Sequence, residues 1–446
     1  MDYKVDIPIV YMIVYYAVRI NIQYNNTVQV MQHFYIGTAF TKMTSKERHE
    51  LRYQRRKYKR DQKVKERSEQ YSDFESVFGT IALVKGYKKT SKASKYRPRT
   101  QIWMNSVIVN SRRESNKIYD GTWKSKGFNS FNIFERGKSR DILSVDISEK
   151  GIQNSFCNNC VIPIIRPHLI YDNGASMKGK GTDFALDRLE KHLRDHYKKY
   201  GRNGGIFFFD FSSYFANIQS IPLTDSVHKK LLDVRMFKMY KLFIDAFNGN
   251  GLGLGSQVSQ ISAVFYPNRL DHMLKDDLSI HGYGRYMDDG YIIYHDIDEL
   301  KKITELFYSK CEELGIIINK KKCQIIKLNK QFIFLKTRFF ITEKGKVIRR
   351  LNRQVSRKER NRLKAFKRYV DNGTMTYREA FLNFHSWLLS LNRGKSYHTK
   401  LNMIIYFNNL FKDYGYYWPI KIKNRKHKLL LHLAKTALLS ARTQYK

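Results

Sequence analysis

The chain has 446 residues, 42% hydrophobic and 14% aromatic, long and apolar enough for a sizeable core, which excludes an intrinsically disordered chain. Its 82 Lys and Arg stand against 40 Asp and Glu, a formal net charge of +42. A compact protein so charged repels itself unless a polyanion neutralises it, and nucleic acid is the polyanion that this balance points to.

In chain order, the apolar stretch from Ile7 to Val18 has no preceding basic cluster and no small-residue cleavage site. It is also shorter than the roughly 20 residues of a membrane span, so no membrane association is expected. Val, Ile, Tyr and Thr dominate through Ile36 and predict strands. Composition changes at Met43, so residues 1–42 read as an upstream extension. Lys46 to Arg67 is a dense basic run with Glu47, Glu50 and Glu66 at intrahelical pairing distance, which predicts a solvated helix lying as an arm on RNA. Lys85 to Arg113 reads as a loop-rich basic connection. Phe131 to Val145 predicts two strands around a Gly turn, and a helix follows from Ile147 to about Pro163. Within it, Cys157 and Cys160 form a lone C-x-x-C with no second pair at zinc-ligand spacing. They are expected to be buried small side chains, and a reducing cytoplasm fits. Gly179, Lys180 and Gly181 either cradle template phosphates or form a turn before a helix that ends at Gly201.

From Gly204 an apolar strand ends in Asp210, and a Gly-rich loop at Gly251 to Gly255 feeds a helix. Apolar residues flank Asp288-Asp289 on both sides, as in a tight hairpin. Then come a helix from Ile297 to Leu314, a short strand from Gly315 to Asn319, and strands over Phe332 to Phe340. After about Val347 the chain is basic and helical, with helices expected at 354–371, 376–391 and 397–413. The class is α+β, with an all-α appendage. Acidic residues are scarce, yet Asp210, Asp288 and Asp289 stand against apolar strand ends, where an unpaired carboxylate is costly and a bound metal removes that cost. Carboxylates converging from separate strands are what nucleotidyl transfer needs to hold two divalent cations roughly 4 Å apart.

Tyr286-Met287-Asp288-Asp289, preceded by Arg285 and followed by an apolar strand, resembles the palm signature of reverse transcriptases. Further blocks of that family follow its order between about residues 131 and 341. Asp210 and the adjoining Phe211 resemble the first metal-binding position, and Phe215 the bulky aromatic that blocks a ribose 2′-hydroxyl. Leu254-Gly255 lie within the Gly-rich block, and Lys322 matches a lysine near the leaving pyrophosphate. Phe334, Leu335 and Lys336 resemble the primer grip, while Lys138 and Arg140 fall where a fingers hairpin holds the triphosphate. The resemblance implies a right-hand polymerase whose fingers and palm carry an antiparallel sheet, with a basic all-α thumb. It implies Asp210, Phe211, Asp288 and Asp289 as metal-binding residues, the three Asp being catalytic, and two Mg²⁺ per site. Lys322 is implied as catalytic, and Tyr286, Leu254, Gly255, Phe211 and Phe215 as nucleotide-binding. The implied divisions are an N-terminal extension and basic arm (1–67), fingers (68–205), palm (206–346) and a thumb with an RNA-binding tail (347–446).

One departure is informative. Where group II intron and retroviral enzymes have Gln, this chain has Leu254, giving L-G-x-x-x-S-Q with Ser259-Gln260. That variant resembles enzymes of diversity-generating retroelements and some defence-associated bacterial reverse transcriptases, and an apolar side chain there suggests relaxed pair discrimination. The chain shows no H-N-H, zinc-ribbon, ribonuclease H or P-loop pattern. The expected activity is copying of an RNA template, a dedicated structured non-coding RNA, into DNA from dNTPs, in antiphage defence. The alternatives are a diversity-generating element and an RNA-binding maturase or scaffold. Oligomerisation stays open.

Overall fold

A computed structural model describes residues 44–135, 138–249, 251–391 and 396–414. The strands expected before Ile36, the 1–42 extension, the Gly turn of the first hairpin and the chain after Tyr414 lie outside the described residues. The chain divides into two compact units, residues 1–67 and 68–446. The described part of the first belongs to helix α1 (Ser45–Gln70). Its start is capped reciprocally: the Glu47 amide donates to Thr44 Oγ1 at 3.3 Å, and the Thr44 amide to Glu47 Oε2 at 2.8 Å.

The second unit opens with helices α2 (Phe74–Phe78), α3 (Thr80–Thr90), α4 (Pro98–Asn105) and α5 (Val107–Tyr119). The loop expected from Lys85 to Arg113 is therefore mostly helical. Its Lys, Arg, Gln and Met are good helix formers, Pro98 sits in the first turn of α4, and Leu83, Tyr87 and Ile118 anchor α3 and α5 in the core. The exposed hairpin β1 (Phe128–Glu135) and β2 (Lys138–Val145) follows in antiparallel register. The expected helix to Pro163 forms as α6 (Ile147–Phe156), a π-helical turn at Cys157–Val161 and α7 (Ile162–Ile165). Cys157 and Cys160 are buried free thiols that burial pushes up, to about 12 for Cys160. Helix α8 (Thr182–Tyr200) then leads to β3 (Gly205–Asp210).

Beyond β3 lie α9 (Ser220–His228), α10 (Val234–Asp245), α11 (Gln257–Phe265), α12 (Asn268–His272), β4 (Tyr283–Tyr286), β5 (Asp289–Tyr294), α13 (Ile297–Glu313) and β6 (Gln324–Lys327). The central sheet is antiparallel with order β4-β5-β3-β6. β3 is buried along its whole length, so it reads as a continuous apolar run rather than an alternation. Phe207 and Phe209 enter one core cluster and Ile206 and Phe208 another, on the opposite face. The strand expected at Gly315–Asn319 reduces to one bridge, Ile318 to Phe211, because β6 takes that edge of β3 from Gln324 onward.

A second sheet, β7 (Phe332–Phe334), β8 (Thr337–Ile341) and β9 (Val347–Leu351), precedes helices α14 (Arg353–Asp371), α15 (Tyr377–Ser390) and α16 (Tyr397–Leu410). The helical part thus starts at Arg353 rather than at 347: Val347 and Arg349 alternate inward with period two and make β9 a strand. The helices form their own apolar cluster around Phe384 and Phe407, whose rings stack at 4.5 Å.

A fully buried ion pair joins the central sheet to the helices behind it. Arg285 on β4 donates to Asp271 on α12 from Nε at 2.9 Å and from Nη2 at 2.6 Å, and both side chains are 0% exposed. Asp271→Ala would leave Arg285 buried and unpaired, which should destabilise the fold by about 3–5 kcal/mol. Denaturant unfolding checks this against Asp271→Leu with Arg285→Met, which should recover much of the loss. A single-variant loss under about 1 kcal/mol, the value of an exposed pair, would contradict it.

Candidate active site

β3 ends at Asp210, and in the antiparallel register Asp210 stands opposite Asp289, the first residue of β5. β4 and β5 are joined by only Met287 and Asp288, and Met287 takes φ +56°, a conformation usually left to glycine in such turns. Arg285 holds the turn from beneath: Nη1 donates to the Met287 carbonyl and Nη2 to that of Val264, each at 2.9 Å. The Phe211 amide donates to the Asp288 carbonyl at 3.1 Å, so the main chain past β3 is tied to the same turn. Gly290 follows Asp289 because Phe209 lies across it: a Cβ there would stand 2.1 Å from the ring.

These contacts bring three carboxylates to one end of the sheet. Burial, then Asp288 and Asp210, push Asp289 up to about 7. Burial also raises Asp288, with Asp210 adding to the rise and Lys322 and Arg140 opposing it. Lys322 reaches across from the segment before β6, and its Nζ donates to both Asp210 oxygens at 2.7 Å. Burial alone would lower the Lys322 ammonium, but the hydrogen bond and charge of Asp210 outweigh it and raise it. Among the described residues no group of three or more His, Cys, Asp or Glu is arranged to hold a metal ion as the chain stands. The donor chemistry nonetheless fits a hard divalent cation: three carboxylates in a half-dry site repel one another, and a single lysine offsets part of that charge.

The other sequence-predicted positions lie on the β1–β2 hairpin, past β3, in the Gly-rich loop, on β4 and at the β7–β8 turn. Arg140 on β2 is exposed and near enough for its charge to act on Asp288. The Lys138 main chain pairs with Glu135. Phe215 is half-buried against the core, ring to ring with Tyr214 at 5.9 Å, and its carbonyl accepts from the Leu252 amide at 2.7 Å. Leu254 docks the Gly-rich loop on the hairpin through its main chain, accepting from the Leu143 amide at 2.8 Å. Gly255 takes φ +121°, and a Cβ there would stand 2.6 Å from the Leu143 carbonyl oxygen. The Tyr286 hydroxyl accepts from Thr182 at 3.3 Å, which ties the turn to the start of α8. Phe334 is buried against Phe208 and Tyr291, while Leu335 and Lys336 form the β7–β8 turn, both at positive φ. Two non-glycine residues so placed mark a strained, over-determined turn.

Sequence reading gave no role to Asp271 or to Arg285. Their signal was an acid after apolar Leu270 in an acid-poor chain and an Arg between Gly and Tyr in a strand, each of which needs a partner when buried.

Residues 153–339 match the family described as "Reverse transcriptase (RNA-dependent DNA polymerase)". No curated protein sequence matches the chain. Among solved structures, telomerase from Candida albicans in complex with a TWJ fragment of telomeric RNA is similar at 11% identity and TM-score 0.39, over 66% of this chain and 60% of that one. Apo telomerase from Candida tropicalis gives 16% identity and TM-score 0.39, over 50% of this chain and 48% of that one. The chain thus spans about half to three-fifths of the length of these structures, and a likeness of this degree says nothing of function. The matched segment, residues 153–339, contains Asp210, Asp288, Asp289 and Lys322, so this part of the chain is similar to a reverse transcriptase domain.

Proposed function

We propose that the chain copies an RNA template into DNA at the end of the central sheet, with Asp210, Asp288 and Asp289 as ligands of two Mg²⁺ ions. The observation that carries this is the convergence of the three carboxylates through the Asp210–Asp289 register, with burial and mutual repulsion pushing Asp289 up to about 7. Bound there, the ions would activate a primer 3′-hydroxyl and offset charge on the triphosphate. The chain's own cations act on the same charges: Lys322 sits 2.7 Å from Asp210 and would meet the leaving pyrophosphate, and Arg140 acts from the hairpin with Lys138 near it in sequence. The Phe211 main chain fixes the Asp288 turn. Tyr286, Leu254 and Gly255 border the nucleotide, and Phe334 to Lys336 grip the primer. In this reading residues 68–205 are fingers and 206–346 palm, and the thumb helices begin at Arg353.

The motif variant Leu254-Gly255 with Ser259-Gln260 suits antiphage defence and also a diversity-generating element, the second reading; the basic tail suits a dedicated structured non-coding RNA, and the sparse cysteines a cytoplasmic setting. No helix among the described residues is long and apolar enough to cross a membrane. Sequencing RNA and DNA that co-purify with the protein separates the two. One fixed non-coding RNA with its cDNA supports defence, and error-rich copies of a protein-coding segment support diversification.

Asp288→Ala with Asp289→Ala should abolish dNTP incorporation on a primed RNA template while RNA binding persists. The thermal midpoint should not fall, since the substitution relieves like-charge repulsion in a half-buried site. Incorporation at the parent rate would remove these residues from the chemistry and favour a maturase or scaffold.

If the half-buried Phe215 ring closes the space beside a ribose 2′-hydroxyl, Phe215→Ala should admit ribonucleotides with modest loss of dNTP use. Single-nucleotide extension with each sugar measures this. Unchanged discrimination would make Phe215 a packing residue only.

Leu254→Gln should lower misincorporation several-fold on a defined template, because one regained hydrogen bond is worth about 1 kcal/mol. Product sequencing reads the error spectrum. Lower stability with the same spectrum would assign Leu254 to loop packing alone.

A further inference from the structure

A second concave feature lies on the far half of α8. Its walls are α8 from Glu190 to Lys198 and the end of the β8–β9 turn with β9, from Lys344 to Arg350, enclosing about 510 Å³. The two walls are fixed to each other. The Tyr197 hydroxyl donates to the Glu343 carbonyl at 2.5 Å. The Tyr197 ring fills the place of a side chain at Gly345, where a Cβ would stand 2.1 Å from Cε1 and where φ is +75°. From β9 the buried Arg349 guanidinium reaches α8, 2.5 Å from Asp187 and 3.7 Å from Glu190. The cleft is therefore preformed rather than a gap between loose segments.

Its charge is lopsided. Glu190 is the one carboxylate among the lining residues, and Arg349 and Arg194 both pair with it. Lys198, Lys344 and Lys346 remain exposed on the rim, on both walls. An isolated phosphate would call for a converging cradle of fixed donors. Long lysines spread along two walls suit a polymer with spaced phosphates, held by Coulomb attraction and counterion release. The cleft is also remote from the carboxylates. Thr182, at the start of α8, hydrogen-bonds Tyr286, and at 1.5 Å rise per residue Lys198 lies roughly 24 Å further along that helix.

We infer that this cleft holds the phosphodiester backbone of an RNA segment away from the reacting end, a second anchor that raises affinity without touching the chemistry. The inference takes RNA as the ligand from the proposed function and otherwise rests on the cleft alone. The test is fluorescence anisotropy of labelled single-stranded RNA binding to the full chain over about 50–200 mM salt, the range in which phosphate contacts dominate affinity. Lys344→Glu with Lys346→Glu is compared with Lys301→Glu and Lys302→Glu, the same change of net charge on exposed residues of α13. The cleft variant should bind more weakly and lose about 0.7 of log–log salt slope per removed contact, hence about 1.4. The α13 variant should keep the parent slope, and both should extend a short, saturating primed template at the parent rate. An unchanged slope in the cleft variant, or an equal loss in the α13 variant, overturns the inference. The same loss on single-stranded DNA of equal length supports recognition of the backbone itself, and a loss confined to DNA overturns RNA as the occupant. A slope change in a protein that incorporates nothing would sink the polymerase reading and leave the cleft standing. Incorporation with no slope change does the reverse.

Discussion

The buried pair Arg285–Asp271 is the constraint on which the carboxylate end of the central sheet depends. With no water to share, the Arg285 guanidinium must find every partner inside the protein, and it does so on Asp271, Met287 and Val264. The Tyr283 hydroxyl, one turn of the pleat away, donates to the same carboxylate at 2.5 Å. These bonds join α11, α12 and β4 to the turn that carries Asp288. A two-residue turn with Met at positive φ is not one the chain would adopt alone; the buried guanidinium over-determines it. The geometry of the carboxylates thus rests on an ion pair whose alternative is an uncompensated buried charge.

The same economy of acids runs through the rest of the second unit. Asp172 is buried and engaged by Arg188, by Lys275 at 2.7 Å and by His192 at 3.5 Å, and these partners overcome burial to hold its carboxyl well below the usual range. Its carbonyl accepts from the Arg285 amide at 3.2 Å, and the Gly174 amide donates to the Arg285 carbonyl at 2.8 Å. The loop at 172–174 thereby covers the free edge of β4, an edge that would otherwise offer unpaired main chain beside the Asp288 turn. In a chain with a net charge of +42, several carboxylates are thus spent inside, on fixing elements, while most of the described Lys and Arg are exposed.

Local pattern carried much of this. The period-two and continuous apolar runs placed β3, the β4–β5 hairpin and the β7–β8 pair, because a strand's alternation is written in adjacent residues. Asp210, Asp288 and Asp289 were legible as carboxylates on strand ends for the same reason. The helices α8, α13, α14 and α15 followed from composition and caps with bounds shifted by a residue, and α16 ends at Leu410 rather than at 413. Lys85–Arg113 misled because Lys, Ser and Thr resemble a loop until Leu83, Tyr87 and Ile118 find a core to enter. β9 misled because two arginines in Val347–Leu351 hide an alternation that only burial of Arg349 against Asp187 and Glu190 reveals.

By itself, then, the sequence determined a strong positive charge, most of the strands and which carboxylates end which strands, all properties of composition and of neighbours along the chain. The tertiary structure decided what those residues meet. It set the register that puts Asp210 across from Asp289 and the reach of Lys322 over 112 positions to Asp210. It also decided the burial of Arg285 on Asp271 and the basic cleft between α8 and the β8–β9 turn. Such contacts depend on how sheets and helices pack across long separations, and no local periodicity encodes which distant side chain fills a given space.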